Sequence, residues 1–450
     1  MKRVLCLLLA SLLVLPLGAR RLRVAFVGDP QVDNEKELSY ARRSIYDELR
    51  GRSDLDMAIF LGDLVNDDVS LLAPTRAVLD SLPYAWASVP GNHDRDVYHV
   101  KGKARDMATY SRVIHATDTT FERGGVCFIM MDDVRLEGTG GYEGGFREDQ
   151  KLWLRERLEA LPADRLAVLC AHIPFNEFKA KDSLETILSV HPKLLLMCGH
   201  THTMARSRLV FPGGLEVEEV LAGAACGSWW RGRPDRHGIP SATQNCGAPR
   251  SYYVVDFKDG GYRLDYKVIG ESASVKASAV LVDSTRLVLN IYGGALDGSV
   301  QVKLPGRRGW ITVPRRAEVA PEVEETYRFN KTLEKRSRNP LFIPMLRRKS
   351  PHIWALDLSG DPAALAALRT AASGLRLDAS DVAPGFKPDA SDAVPGFKPD
   401  APDAAPGFKP DAPDAVRSAS GTPARPIRIR YRDPSMRFNC RTIIRHLPNP

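Results

Sequence analysis

The chain has 450 residues, of which 44% are hydrophobic and 26% charged, with a formal net charge of +8 and 7 cysteines. That length supports more than one core-bearing domain, and that composition excludes a chain disordered throughout. So few cysteines over such a length exclude a disulfide scaffold.

The first residues read as an address. A basic start at residues 1–3, an apolar run at 4–17 and the small pair Gly18 and Ala19 have the layout of a secretory signal peptide over 1–19, which predicts an exported protein, periplasmic or extracellular. No later run approaches membrane length, so no transmembrane segment is expected beyond it. Five apolar runs then follow, at 22–27, 57–61, 84–89, 166–171 and 193–198, each the length of a buried strand. Each ends within a few residues of polar side chains: Asp29 and Gln31, then Asp63, then Asn92 with His93, then His172, then His200 with His202. Between them, Leu38, Ala41, Ile45 and Leu49 recur at helical spacing, as do Leu71, Thr75, Val78 and Leu82, and a further helix is expected over 150–161. Strands alternating with helices predict a sheet covered on its faces, and such sheets gather ligands beyond the carboxyl ends of their strands.

The ligand types narrow the chemistry. Carboxylate, amide oxygen and imidazole without a Cys-x-x-Cys pair suit Mn, Fe, Zn or Mg and not a structural zinc site. Asp29 and Gln31 are two residues apart, as are His200 and His202, so extended backbone would turn each pair to one side. Asp63 is placed to bridge two cations. Asp132 and Asp133 follow another apolar run and read as loop-capping residues, while His99, His115, His191, His237 and His352 have no matching context.

Asp29-Pro30-Gln31, Gly62 to Asn66, Gly91-Asn92-His93-Asp94, His172 in Ala-His-Ile-Pro and Gly199 to His202 together resemble, in order, the motifs of the calcineurin-like metallophosphoesterases. The resemblance implies a four-layer α/β/β/α sandwich over residues 20–270 and two divalent metal ions. One would be held by Asp29, Gln31, Asp63 and His202, the other by Asp63, Asn92, His172 and His200. It further implies hydrolysis of a phosphomonoester or phosphodiester by a metal-bridging hydroxide, with His93 acting on the leaving oxygen and Asp94 holding its ring. Gln31 departs from the commoner histidine; its neutral oxygen makes that site harder and tilts the metal toward Mn, Mg or Fe.

Beyond the last ligand, residues 223–232 resemble the end of the core in secreted bacterial members that carry a family-specific C-terminal domain. Trp229, Trp230 and Arg231 offer a substrate wall, with aromatic faces and a cation for phosphate, or else pack the sheet edge. Cys226 and Cys246 flank that loop and are candidates for a disulfide in an oxidising compartment. From about residue 271, short runs at 279–282, 286–291, 300–302 and 352–356 predict a small β-rich C-terminal domain over 271–450. It is interrupted at 371–425 by an 11-residue repeat, 378–388, 389–399 and 400–410, whose Pro, Gly and Asp-Ala content predicts a disordered insert. Arg428, Arg430 and Arg432 alternate with apolar residues, a strand with one basic, solvated face, and no specific nucleic acid or protein partner is expected. A second reading keeps the fold without turnover, as a scaffold working through that basic domain.

Overall fold

The computed structural model describes residues 21–96, 107–137, 141–179, 181–304, 307–334, 344–373, 427–433, 436, 440–442 and 444–446. The signal segment at 1–19, His99 and all but the first residues of the repeat insert lie outside them.

Alternation within single strands decides the architecture. In Leu22–Val27 the side chains of Val24 and Phe26 face one way and those of Ala25 and Val27 the other, yet all four are fully buried. Both faces of that sheet must therefore be covered. Val24 and Phe26 join Phe128, Val168 and Leu195 in a core between two sheets, where Phe128 meets Phe257 edge to face at 5.8 Å. Ala25 and Val27 join Leu38, Ile45, Leu49 and Leu79 from helices on the outside. The second sheet repeats the pattern: Cys127, Ile129 and Leu169 pack outward on Leu154 and Leu158 of helix Glu148–Ala160. The result is the expected α/β/β/α sandwich, in which each large buried apolar side chain contributes roughly 1.5–3 kcal/mol.

The first sheet runs, in spatial order, Gly261–Val268, Ser251–Lys258, Leu22–Val27, Met57–Leu61 and Ala85–Val89. The second runs Met204–Val210, Glu216–Ala222, Leu194–Cys198, Leu166–Cys170, Val126–Met130 and Thr119–Arg123. Leu22–Val27, Met57–Leu61 and Ala85–Val89 are mutually parallel, and so are Val126–Met130, Leu166–Cys170 and Leu194–Cys198. Their carboxyl ends therefore share one rim, and the loops that follow converge there.

Among its described residues the C-terminal region is β-rich, with one five-stranded and one four-stranded sheet. It also contains two helices, Pro321–Glu334 and Pro362–Ser373, which the period-2 reading did not anticipate. Residues 371–373, assigned from sequence to the insert, are the end of the second helix. In Ile427–Arg432 the exposure alternates as expected, and Arg430 lies 4.1 Å over the Trp310 ring. No described helix is long and apolar enough to cross a membrane.

This region is bonded to the strand that follows His202. His352 Nε2 donates to the Met204 carbonyl at 2.7 Å, Leu296 N donates to the Arg206 carbonyl at 3.1 Å, and the buried Arg206 guanidinium pairs with Glu218 and with Asp433. His352, set aside in the sequence, is thus a buried junction residue.

Candidate metal centre

The strand ends do bring the predicted side chains together, but by a different backbone from the extended one expected. Asp29, Gln31, Asp63, His200 and His202 have φ of 39°, 34°, 49°, 73° and 50°. These are left-handed values, uncommon for residues with a Cβ and costly unless the surroundings enforce them. Tight turns, and not the period of a strand, aim these ligands at one point. Two glycines make the turns possible. A Cβ on Gly91 would lie 2.0 Å from Asp63 Oδ1, and one on Gly62, at φ 89°, would lie 2.4 Å from His172 Nδ1.

Asp63 occupies the middle. Its Oδ2 is 3.3 Å from His172 Nε2 and 3.4 Å from Gln31 Nε2, and its Oδ1 accepts from the His93 backbone N–H at 3.0 Å. His172 Nε2 is also 3.1 Å from Asn92 Oδ1 and 3.2 Å from His200 Nδ1. Ligand atoms of Asp63, His172 and His200 all lie within 4.8 Å of one another. Asp29, fully buried, accepts from the His200 backbone N–H at 3.0 Å, so the first and last strand ends are tied together.

Neighbouring carbonyls orient the imidazoles. His172 Nδ1 lies 2.8 Å from the Leu61 carbonyl and His202 Nδ1 lies 2.6 Å from the Gly227 carbonyl. A proton on each Nδ1 leaves the Nε2 lone pair for a ligand, the arrangement common to metal-binding histidines. Asp133, buried and loop-capping as expected, accepts from the backbone N–H groups of His172 and Ile173 at 3.1 and 2.9 Å.

The electrostatics are those of a cluster that wants positive charge. Burial pushes the Asp29 carboxyl well above the usual range. Burial acts the same way on Asp63, but the His172 and His93 charges outweigh it and hold that carboxyl low. Burial lowers His172, yet Asp63 and Asp29 raise it to about 10. Burial lowers His200 to about 3 and His202 to about 4, which leaves both imidazoles neutral. Among the described residues no Lys or Arg pairs with Asp29 or Asp63. Two buried carboxylates with no Lys or Arg partner among the described residues, beside the neutral imidazoles of His200 and His202, fit divalent cations, which would take the place of the protons that now balance Asp63.

One assignment is corrected. Asp94 does not hold the His93 ring: its buried carboxylate accepts from Gly91 N at 2.8 Å and Val65 N at 3.1 Å, fastening two loops. The ring partner is Asp67, whose Oδ1 lies 2.5 Å from His93 Nδ1. A second backbone bond, Asp67 N to the His93 carbonyl at 3.1 Å, locks the pair.

The predicted substrate wall divides. Trp229 lies over the His202 ring at 4.6 Å and lines a cavity of about 200 Å³ with Gln31, Asp63, His93, His200 and His202. Trp230 is buried and donates to the Pro30 and Gln31 carbonyls at 3.1 Å, so it packs the metal-side loop. Arg231 lies 5.7 Å over Trp229 and is not among the residues lining the cavity. Tyr142, Glu177, Asn245, Leu346 and Arg348, which do line it, have no site role assigned from the sequence. The candidate pair Cys226 and Cys246 is not joined: both thiols are free and buried. The Cys226 Sγ turns toward the Gly227 carbonyl at 3.5 Å, while the Cys246 carbonyl accepts from Asn290.

Two family models match the chain, "Calcineurin-like phosphoesterase" over residues 22–204 and "C terminal of Calcineurin-like phosphoesterase" over 219–367. The second begins inside the sandwich, since Ser251–Lys258 pairs with Leu22–Val27. A protein of Arcobacter nitrofigilis described as probable glycerophosphodiester phosphodiesterase GpdQ is 24% identical over 212 residues, 40% of this chain and 72% of its own length. The solved phosphopantetheinyl hydrolase PptH of Mycobacterium tuberculosis is 17% identical, with 46% of this chain and 91% of that one covered at a TM-score of 0.29. For a 5'-nucleotidase of Candida albicans the figures are 10%, 54%, 51% and 0.31.

Proposed function

We propose, for a chain that belongs to the calcineurin-like phosphoesterase family and is a metal-dependent phosphoric ester hydrolase, that its strand-end cluster is a dinuclear centre. Asp29, Gln31, Asp63 and His202 would hold one ion and Asp63, Asn92, His172 and His200 the other. The observation that carries this is the central place of Asp63, whose Oδ2 lies 3.3 Å from His172 Nε2 and 3.4 Å from the Gln31 amide, between residues assigned to the two ions. Mn, Fe, Zn or Mg suits a set this rich in oxygen. Two such ions would supply Lewis acidity to a phosphoryl oxygen and an acidified water as nucleophile.

The remaining chemistry belongs to the protein. The His93 ring is held through Nδ1 by Asp67, so Nε2 is the atom left to give a proton to the departing oxygen. Burial lowers its proton affinity, while the Asp63 and Asp67 carboxylates raise it, and the Asp67 contact fixes the ring for that role. Trp229 shields the His202 side of the cavity. The substrate is a phosphomonoester or a phosphodiester, and the name of the Arcobacter relative puts a glycerophosphodiester on the assay panel.

Residues 20–270 are assigned to catalysis and 271–450 to the C-terminal domain, and residues 1–19 to export. A reporter fused behind 1–19 tests the last point: retention in the cytoplasm would end it. For the enzyme, chromogenic mono- and diesters are offered with added Mn. Metal-stimulated turnover is expected, and His93→Ala should remove most of it while metal content stays. A metal-loaded chain inert on a broad panel would contradict the proposal.

A further inference from the structure

The cavity over the metal centre is not built by the sandwich alone. Leu346 and Arg348, which precede strand Lys349–Asp357 of the C-terminal region, line it together with Gln31, Asp63, His93, His200 and His202. The segment is fixed on both sides of Arg348. Met345 is buried with Val288, Val323 and Ile353. Arg347 pairs with Glu324 at 2.8 Å and lies 5.1 Å over the Tyr327 ring. Ser350 is buried, and His352 is tied to the Met204 carbonyl, two residues beyond His202. Arg348 itself is exposed, and among the described residues no carboxylate or carbonyl partners it. Two adjacent arginines thus have different duties: Arg347 is consumed by structure, while Arg348 stands at the cavity with no partner for its donors among the described residues.

A guanidinium presents a planar fork of N–H donors that matches two oxygens of one phosphoryl group. Its attraction scales with the charge opposite, so it favours a dianionic phosphate over the monoanion of a diester. We propose that Arg348 is a substrate-binding residue supplied to the site by the C-terminal region, and that it biases the enzyme toward dianionic phosphoryl groups. The proposal rests on the phosphoesterase reading above for its setting. It adds a specificity determinant that lies outside the strand-end ligands, and it gives the C-terminal region a share in the active site.

The test uses the full Mn-loaded chain and inorganic phosphate, with binding measured by calorimetry at a pH where phosphate is the dianion. Arg348→Ala should weaken phosphate binding about tenfold or more, with Arg348→Lys in between and metal content unchanged in both. In turnover, Arg348→Ala should raise KM for p-nitrophenyl phosphate several-fold more than for bis(p-nitrophenyl) phosphate. Arg348 is exposed, so the variants should fold, and circular dichroism checks this. A phosphate affinity that stays within about twofold of the unchanged chain would overturn the assignment, as would failure of the unchanged chain to bind phosphate. The two readings separate cleanly. No turnover with the expected drop in phosphate affinity removes the phosphoesterase reading and keeps Arg348; robust turnover with unchanged affinity does the reverse.

Discussion

His93 Nδ1 lies 2.5 Å from Asp67 Oδ1, and a backbone bond from Asp67 N to the His93 carbonyl closes the pair into a ring of contacts. The acid of the proposed reaction is therefore oriented by a residue from the loop after Asp63 and not by its own neighbour in sequence. Asp67→Asn should lower kcat by about 10- to 100-fold, the usual cost of removing the carboxylate behind a working imidazole. Metal content should not change. Steady-state kinetics with metal analysis checks this, and an unchanged kcat would return the role to another group.

Asp94 should behave differently from Asp67. Its carboxylate satisfies two backbone N–H groups, and Asp94→Ala would orphan both at about 1–3 kcal/mol each. Asp94→Asn keeps one acceptor oxygen and should lose less. Denaturant unfolding gives the ranking; a fully stable Asp94→Ala would show that the two loops hold without it.

Gly91 has no room for a methyl group. A Cβ there would meet Asp63 Oδ1 at 2.0 Å and Asp63 N at 2.4 Å, and Asp63 is held by short contacts on both sides. Gly91→Ala should displace the central carboxylate and release metal, while the sheets stay folded. Metal analysis beside circular dichroism separates loss of the centre from loss of the fold. Retention of full metal content would refute this reading.

The junction with the C-terminal region should carry a pH dependence. Burial holds the His352 imidazole down to about 4, so it stays neutral in the folded chain while the unfolded chain takes up a proton near 6.5. Its contribution is complete above pH 6.5 and is lost progressively as pH falls toward 4, on the order of 3 kcal/mol in all. His352→Gln keeps an N–H for the Met204 carbonyl and cannot titrate. The stability difference between the two chains should therefore change in favour of the variant across that window. A difference independent of pH would show that His352 does not titrate there.

Much of this molecule is legible in its sequence, for a physical reason. Strands covered on both faces, such as Met57–Leu61 and Leu166–Cys170, must be apolar throughout, so their ends can be counted along the chain. The polar residues at those ends then stand out as candidates. The turns did not stand out, because nothing in Asp29, Asp63 or His202 announces a left-handed backbone; it is imposed by packing such as Gly91 against Asp63. Asp67 was passed over since Asp94 adjoins His93 in the chain and Asp67 does so only in space. Arg348 and His352 were invisible as site and junction residues because what they face, the strand-end side chains and the Met204 carbonyl, lies more than a hundred positions away. The helices at Pro321–Glu334 and Pro362–Ser373 fell among short alternating runs that favoured strands.

One carboxylate, Asp63, is proposed to be shared by two divalent ions. Quantitative metal analysis of the Mn-reconstituted chain beside its Asp63→Ala variant tests it most directly. Two ions per chain are expected, with both lost or severely weakened in the variant and turnover lost with them. A single ion per chain in an active enzyme, or a variant that keeps both ions, would contradict the account.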